Sequence, residues 1–556
     1  MDNVEPRADG RNGRSASMME RARLLWAHVA VAAAFVAFSA AYLWLFVLRF
    51  SVNVVFWDDW SQVPLFARLT LGRLWAQHNE NRMLVPNLIT YVLGRADHFN
   101  ARTEMVVSAL ILMAAVAVLM RAGRRFTGSP YLLIPVPVIM FGLVQWQDAL
   151  WAFQLAWYLI LLLVITALAA LGRNSRASYG IALACAVVAS FSSLQGLIVW
   201  PAGAFLFAWS EGGSRRARWR SWAATGLMCM IVYLYRFHWS NTGGPSPLVS
   251  LGRLGADAHF LLILLGTIVY ETGTKPGYAG ASILGGLVLL VCAYTLADWV
   301  RGRRQGLNFP VALIIFGLLF DGTVVIGRVG FGPTQALASR YTLYNLLVLG
   351  ALYLYWLGVR RTTGVRPMVR AMTAALVFLI AMEWASAVAI ALPVAGIEHH
   401  HNEWAADILV NVPHAPNRLI QKTLWPDPAY VRREYPLLVR ERLSTFASPD
   451  RARFARLGVV PFGYFSLPLV VPPAARKALT GHPAALMAWK VLWAVYEQTP
   501  AERRRLPPSS PAFVQKLAAW GVRKGTHPNR DQIYLRRYRH EYARLALTAA
   551  RGASRP

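Results

Sequence analysis

The chain has 556 residues, of which 56% are hydrophobic and only 15% charged, and its mean hydropathy is +0.38. This excess of apolar residues is more than a soluble core of that size needs, and it indicates a membrane protein. The formal net charge of +30 would suit nucleic acid, but the arginines stand in short blocks between apolar segments rather than on one basic face. Nucleic acid is therefore not expected as a partner.

The first predicted element is a membrane span over residues 24–48, which follows a polar, arginine-rich tail over residues 1–23. Its apolar run is too long for the hydrophobic region of a cleaved signal peptide, so we expect an uncleaved anchor with the N-terminus in the cytoplasm. Arginine blocks recur between the later apolar runs in the alternation that cytoplasmic loops show. Residues 24–394 are therefore predicted to form an all-α transmembrane module of about eleven helices.

Two parts of the chain are not expected to cross the membrane. The apolar run 257–271 is too short for a hydrocarbon core of about 30 Å, which favours a re-entrant or interfacial helix. The last predicted span leaves residues 395–556 on the extracytoplasmic side, as a mainly helical region broken by prolines. We expect most of the unusual polar chemistry on that side, beginning with the first outer loop, residues 49–104, and its interfacial helices.

The first outer loop carries two adjacent carboxylates, Asp58 and Asp59, between Trp57 and Trp60. Tryptophan favours the depth of the lipid headgroups, so the pair is predicted at the membrane surface. One acid would be enough to cap a helix, and a pair at this depth predicts a general base acting on a lipid-borne substrate. A helix cap with an aromatic belt is the alternative, and the sequence does not choose between the two acids.

The same loop contains His78-Asn-Glu-Asn-Arg82, which puts an imidazole, a carboxylate and a guanidinium into five positions. Taken alone, such a run also suits a solvated loop. Together with the aspartate pair, Glu80 predicts a cleft of carboxylates that would deprotonate a hydroxyl or hold a divalent cation, and that cation is the one cofactor the sequence suggests. We expect His78 and Arg82 to bind substrate beside these acids.

A predicted turn between spans, Gln145 to Gln154, combines amides, one acid and three aromatic residues. Sugar recognition uses this combination, because the C–H faces of a pyranose stack on rings while its hydroxyls need polar partners. Asp148 and Gln154 are therefore candidate sugar ligands. Interfacial anchoring of the aromatic residues is the alternative.

Two arginines, Arg328 and Arg340, are predicted at the outer edge of the membrane, where the positive-inside rule does not explain them. Guanidinium groups suit a phosphate, and the neighbouring glycines let backbone N–H groups approach it. Arg328, Arg340 and Tyr341 are therefore candidate phosphate-binding residues. Snorkelling of the arginines to lipid headgroups, or pairing with an acid of a loop, is the alternative.

Two acids are predicted inside spans, Asp321 and Glu383, where a carboxylate normally faces a polar interior. Asp321 precedes Arg328 by seven residues, which predicts one shared helix face and one shared cavity. Proton coupling in a transporter would explain both acids equally well.

Three adjacent histidines, His399 to His401, stand beside Glu403 at the start of the C-terminal region. Adjacent histidines point in different directions on a helix and do not form the i, i+4 histidine pair of helical metal sites. We therefore predict no metal site from them.

The chain resembles the GT-C superfamily of glycosyltransferases, which use polyprenyl-phosphate sugars as donors. The resemblance lies in an acidic pair in the first outer loop, about eleven spans and a C-terminal extracytoplasmic region; more closely, Trp57-Asp-Asp-Trp60, His78-Asn-Glu-Asn-Arg82 and Ser339-Arg-Tyr341 look like motifs of uncharacterised bacterial members. It implies that Asp58 or Asp59 is the catalytic base and Glu80 a second acid. By the same resemblance, Arg328 and Arg340 would hold the lipid phosphate.

The expected function is transfer of a sugar from polyprenyl phosphate to a glycan or lipid acceptor of the cell envelope, on the periplasmic face of a bacterial inner membrane. The expected partners are the lipid-linked sugar, that acceptor and membrane lipids. A polysaccharide polymerase or ligase remains open, as do a secondary transporter using Asp321 and Glu383 and a structural membrane subunit.

Overall fold

The computed structural model describes residues 10–173, 175–208, 215–238, 253–269, 275–410, 412–413, 415 and 417–447, and this part is almost wholly helical. Two short strands, β1 (Gln77–His78) and β2 (Asn81–Arg82), pair antiparallel. The helices are α1 (Gly10–Phe50), α2 (Leu71–Leu74), α3 (Leu84–Asp97), α4 (Ala101–Gly123), α5 (Pro135–Met140), α6 (Trp146–Leu150), α7 (Leu155–Leu171), α8 (Arg176–Ser190), α9 (Val199–Ala208), α10 (Arg215–Leu234), α11 (Leu254–Gly266), α12 (Lys275–Arg301), α13 (Asn308–Arg328), α14 (Pro333–Ala336), α15 (Thr342–Thr363), α16 (Pro367–Ser386), α17 (Leu392–Val410), α18 (Asn417–Thr423) and α19 (Pro428–Arg440).

Eight helical stretches among the described residues are long and apolar enough to cross a membrane, which makes this an all-α multi-pass membrane protein. They are Ala30–Phe50, Ala101–Phe126, Pro130–Leu150, Ala152–Leu171, Gly277–Arg301, Gln305–Phe331, Ser339–Thr363 and Pro367–Val410. The predicted number of about eleven transmembrane helices would require α8, α9 and α10 to cross the membrane as well. Of these, α8 and α9 have 15 and 10 residues, fewer than the roughly 20 that a hydrocarbon core requires.

The apolar run predicted not to cross corresponds to α11, which has 13 residues. At 1.5 Å per residue this helix is about 20 Å long, shorter than a hydrocarbon core of about 30 Å. It lies against α12 through glycines: a Cβ added at Gly266 would come within 2.0 Å of the Ala281 carbonyl oxygen, and one at Gly285 within 1.8 Å of the Leu262 carbonyl oxygen. Only glycine permits such a close approach of two helix backbones.

The central helix of the bundle is α15, in which every residue from Thr342 to Val359 is buried. Its 22 residues give a length of about 33 Å, close to the thickness of a hydrocarbon core. At its C-terminal end the Arg361 guanidinium donates to the Arg125 carbonyl oxygen at 2.8 Å, and the Arg125 guanidinium in turn stacks on Phe126 and Phe309. Arginines therefore collect at one end of the bundle, while Arg340 precedes α15 at the other.

The first loop, residues 49–104, and the C-terminal segment share a second hydrophobic core, separate from that of the bundle. Val54, Trp60 and Phe66 of the loop pack in it with Leu424 and Leu438. The Tyr430 hydroxyl donates to the Trp60 carbonyl oxygen at 3.1 Å, and the Thr445 hydroxyl to the Asn53 carbonyl oxygen at 2.8 Å. Segment 417–447 thus covers the first loop.

This core changes the interpretation of two sequence predictions. The two tryptophans beside the acidic pair differ, because Trp57 is 42% exposed whereas Trp60 is fully buried and cannot serve as a headgroup anchor.

The predicted boundary at residue 394 falls inside α17, which continues from α16 through a π-helical turn, Ala387–Ala391. Residues 448–556 of the predicted C-terminal region lie outside the described residues.

Candidate active site

A cavity of about 770 Å³ opens at the end of the bundle that carries the first loop. Its walls come from the first loop, the turn between α6 and α7, the end of α13, the start of the α15 segment and α17. Seven of the ten predicted site residues line it: Asp58, His78, Glu80, Gln154, Arg328, Arg340 and Tyr341. The other three, Asp59, Arg82 and Asp148, lie behind its walls.

Asp58 is the acid of the pair that faces the cavity. It lies in a short 3₁₀-helix, Trp57–Ser61, and its Oδ1 is 3.3 Å from His78 Nε2. The side chains of Asp58 and His78 are 25% and 14% exposed, so the pair is partly shielded yet reachable by a substrate. An imidazole at this distance fixes the orientation of the carboxylate, which suits a group that must accept a proton along one direction.

Asp59 points the opposite way and is only 2% exposed. Its Oδ1 accepts the Phe153 N–H at 3.1 Å, and its Oδ2 faces the Phe56 N–H at 3.4 Å. Burial, reinforced by the nearby Glu104 carboxylate, raises the pKa of Asp59 well above its ordinary value. Asp59 therefore anchors the loop to the start of the α7 segment, which removes it from contact with a substrate in the cavity.

The motif His78-Asn-Glu-Asn-Arg82 folds into a tight hairpin with Asn79 and Glu80 at its turn. Asn79 has a φ of 50°, a left-handed conformation that asparagine tolerates and two-residue hairpin turns require. The Asn81 Oδ1 accepts the Ser193 hydroxyl at 2.7 Å and the Leu194 N–H at 3.2 Å. These bonds hold the hairpin against the α8–α9 turn and direct His78 and Glu80 into the cavity.

Arg82 is a buried anchor of this hairpin rather than a cavity residue. It is 4% exposed, and its guanidinium donates to three backbone carbonyl oxygens, those of Tyr233 at 2.9 Å, Trp75 at 3.0 Å and Tyr235 at 2.7 Å. The planar fork of arginine fits three acceptors in different directions, whereas a lysine ammonium would not. The guanidinium is thus committed to the fold and does not reach a substrate in the cavity.

Replacing this anchor should destabilise the protein. Arg82→Ala leaves three backbone carbonyl oxygens, of which that of Tyr233 is buried, without their charged donor, so we expect a loss of about 2–3 kcal/mol in the free energy of unfolding. Thermal unfolding of the detergent-purified protein measures it. The matched control is Arg68→Ala, since Arg68 is an exposed arginine of the same loop; equal melting temperatures for the two variants would contradict the anchoring role.

Arg340 is positioned by a short chain of hydrogen bonds between two turns. The Ser339 hydroxyl donates to the Val144 carbonyl oxygen at 2.6 Å, and the Arg340 N–H donates to the Gln147 Oε1 at 3.2 Å. The guanidinium carbon lies 5.1 Å from the centre of the Tyr341 ring and 5.9 Å from that of Trp151. Aromatic faces thus hold the cation in the cavity wall, where a guanidinium group suits an anion.

Arg328 and Glu80 form an ion pair across the cavity, with the Arg328 Nη2 at 3.4 Å from the Glu80 Oε2. Their side chains are 23% and 17% exposed. The pair joins the hairpin to the C-terminal end of α13, two elements that are 248 positions apart in the sequence. Glu80 therefore orients a second guanidinium toward the same space as Arg340.

The two candidate sugar ligands of the α6–α7 region differ in position. Gln154 lines the cavity, while Asp148 is fully buried behind the wall formed by Trp146 and Gln147. Within the described part of the chain, neither carboxyl oxygen of Asp148 has a hydrogen-bond partner. Asp148 interacts electrostatically with Arg340 but does not face the cavity itself.

Asp321 and Glu383 also lie outside the cavity, and both are fully buried. Asp321 shares a face of α13 with Arg328, as the spacing predicts, but seven residues of helix place it about 10 Å deeper in the bundle. The Glu383 carboxylate fills the space beside Gly142, where a Cβ would come within 1.9 Å of its Oε1. The predicted common cavity of Asp321 and Arg328 is therefore not formed.

The cavity residues that were not predicted include Glu398, His401 and Asn402 of α17. The His401 Nδ1 lies 3.5 Å from the Glu398 Oε2. Their spacing, i, i+3 and i+4, is that of one helix face and is visible in the sequence. It was missed because the predicted domain boundary put these residues in a separate C-terminal region.

The fold and the site together define an all-α multi-pass membrane protein with a polar cavity at one end of its helix bundle. Comparisons with protein-family models, curated proteins and solved structures find no match. The function is therefore inferred from the chemistry of the cavity.

Proposed function

We propose that this protein is a membrane glycosyltransferase that moves a sugar from a polyprenyl-phosphate donor to a hydroxyl group of a cell-envelope glycan or lipid. One observation carries the proposal: a carboxylate, Asp58, and a guanidinium, Arg340, line the same cavity. Transfer from a lipid phosphate needs a base for the acceptor hydroxyl and a cation for the departing phosphate. The Asp58 carboxylate and the Arg340 guanidinium supply this base and this cation within the same open cavity.

In the proposed reaction the acceptor oxygen attacks the anomeric carbon of the donor sugar while its proton passes to the Asp58 carboxylate. The bond between the anomeric carbon and the phosphate oxygen breaks, and its electron pair leaves with the lipid phosphate. His78, at 3.3 Å from Asp58, holds the carboxylate in position during the transfer. Asp59 takes no part, because its oxygens face backbone N–H groups of the fold.

Arg340 and Arg328 would stabilise the phosphate as its negative charge grows. Arg340 has its backbone N–H bonded to Gln147 and its guanidinium against aromatic rings, so it is held in place before the substrate arrives. Arg328 is oriented by Glu80. Cations positioned in advance stabilise a developing charge without the cost of reorganising solvent.

The remaining walls of the cavity suit a sugar. Trp146 and Trp157 supply aromatic rings on which the C–H face of a pyranose can stack. Gln147 and Gln154 supply amides for its hydroxyl groups.

The arginine distribution supports an extracytoplasmic cavity. Arg340 lies at the cavity end of α15. At the opposite end of this membrane-length helix, the Arg361 guanidinium donates to the Arg125 carbonyl oxygen, so that two arginines lie together there. Arginine-rich ends favour the cytoplasm, so the cavity belongs on the outer side. A donor anchored in the outer leaflet by its polyprenyl chain would then present its phosphate at the depth of the cavity mouth.

The proposal is tested by mass analysis of envelope glycans and lipids from cells with and without the gene. We expect the loss of one hexose, pentose or amino-sugar increment from one envelope component, restored by the wild-type chain but not by Asp58→Asn. Loss of long glycan chains without a change in the repeating unit would indicate a polymerase or ligase instead. Substrate uptake into vesicles with no covalent product would indicate a transporter and overturn the proposal.

A further inference from the structure

The helix α17 carries polar residues on two faces, of which only one lines the cavity. Glu398, His401 and Asn402 face the cavity, whereas His399, His400 and Glu403 do not line it. One ligand atom from each of the latter three lies within 4.8 Å of the others, a cluster that the proposed sugar transfer does not use.

Two distances within this cluster, each from one imidazole to one oxygen of Glu403, are close to those between the ligands of a tetrahedral metal ion. His399 Nε2 is 3.5 Å from the Glu403 Oε1, and His400 Nδ1 is 3.0 Å from the Glu403 Oε2. Around zinc, with ligand atoms about 2.0–2.2 Å from the ion, neighbouring ligand atoms are about 3.3 Å apart. The carboxylate is four residues after His399 and three after His400, so one helix face brings all three groups together.

A second observation indicates which atom of His399 is free to bind a metal. Its Nδ1 is 2.8 Å from the carbonyl oxygen of Phe50, at the C-terminal end of α1. A carbonyl oxygen can only accept, so Nδ1 carries a proton; in the neutral ring the lone pair is then on Nε2, which lies 3.5 Å from the Glu403 Oε1. Metal-binding histidines almost always donate their other ring N–H in this way, which fixes the tautomer and the ring orientation.

We propose that His399, His400 and Glu403 bind a divalent transition-metal ion, with zinc the preferred ion and a water molecule as the fourth ligand. Two imidazoles and one carboxylate select such an ion over magnesium or calcium, which prefer oxygen ligands. The bound ion holds α17 to the end of α1 through His399 and so fixes the helix whose other face supplies Glu398 and His401 to the cavity. The site does not depend on the proposed glycosyltransferase activity.

Metal content of the purified full-length chain tests the site. The protein is prepared in detergent with an affinity tag that contains no histidine, stripped with a chelator, reloaded with zinc and washed before elemental analysis. We expect about one zinc ion per chain, and at least a tenfold weaker zinc affinity in His400→Ala and Glu403→Gln. His259→Ala, which removes an exposed histidine of α11, serves as the matched control and should retain the zinc.

A second measurement on the wild-type chain alone covers the case in which a variant fails to fold. Zinc should raise the melting temperature of the stripped protein at concentrations that saturate the site, whereas magnesium at the same concentration should not. The proposal is overturned if the stripped wild type takes up no stoichiometric zinc. It is overturned equally if His400→Ala and Glu403→Gln retain as much zinc as His259→Ala.

Discussion

Asp58→Asn should lower the rate of sugar transfer at least about a hundredfold while the protein remains folded. The amide keeps the shape of the side chain but cannot accept the proton of the acceptor hydroxyl. Since Asp58 is partly exposed and its side chain is paired with His78 alone among the described residues, the change removes little structural support. Transfer is measured with detergent-purified protein, a synthetic polyprenyl-phosphate sugar and envelope acceptor extract, with the product identified by mass.

The neighbouring acid provides the matched control. Asp59→Asn disturbs two contacts to backbone N–H groups, so we expect a lower melting temperature but most of the transfer rate per folded molecule. Asp58→Glu retains a base in a displaced position, so its rate of sugar transfer should lie between those of the wild type and Asp58→Asn. Full activity of Asp58→Asn, or a greater loss of rate in Asp59→Asn than in Asp58→Asn, would show that Asp58 is not the base.

Arg340→Gln should reduce kcat/KM for the lipid-phosphate donor by about a hundredfold to a thousandfold, the effect of removing one preorganised donor to a developing negative charge. The Arg340 N–H bond to Gln147 belongs to the backbone and survives the substitution, so the turn is expected to remain in place. The loss should therefore come from the missing charge. It is measured by varying the donor at saturating acceptor.

Two variants separate a phosphate contact from a general effect of charge. Arg340→Lys keeps the positive charge without the guanidinium fork and should recover part of the activity. Arg68→Gln removes an exposed arginine of the first loop and should leave kcat/KM unchanged. If Arg340→Gln changes the acceptor dependence and leaves the donor dependence intact, Arg340 binds the acceptor and the assignment of the phosphate site is wrong.

Much of the candidate site could be predicted because its residues stand in short, chemically unusual runs. The pair Asp58-Asp59, the hairpin motif and Ser339-Arg-Tyr341 each combine groups that a plain membrane loop does not need, and each contributes a residue to the cavity. Which acid of the pair faces the cavity could not be predicted. That choice depends on the N–H groups of Phe56 and Phe153, and the latter is 94 positions away from Asp59.

The fold itself was predictable only where it depends on local composition. Apolar runs predict membrane helices, but the burial of Arg82 depends on carbonyl groups 151 and 153 positions further along the chain. The role of Trp60 likewise depends on segment 417–447, whose sequence shows no sign of its packing partner. The cluster on α17 was predicted not to bind a metal because its histidines lack the i, i+4 spacing, but the i, i+4 and i, i+3 spacings of Glu403 from His399 and His400 bring the three groups together.

The shared core of the first loop and the C-terminal segment has a consequence for biosynthesis. Trp60 leaves the ribosome 370 residues before Tyr430, the residue whose hydroxyl bonds to its carbonyl oxygen. At about 5–20 residues per second, the loop waits about 20–70 s before the segment that covers it has been synthesised. During that interval the apolar side chains of the loop, Trp60 and Phe66 among them, lack their packing partners from segment 417–447. In a chain that terminates before this segment, they never acquire these partners. Quality-control proteases on the same side of the membrane would therefore meet the first loop before its hydrophobic core is complete.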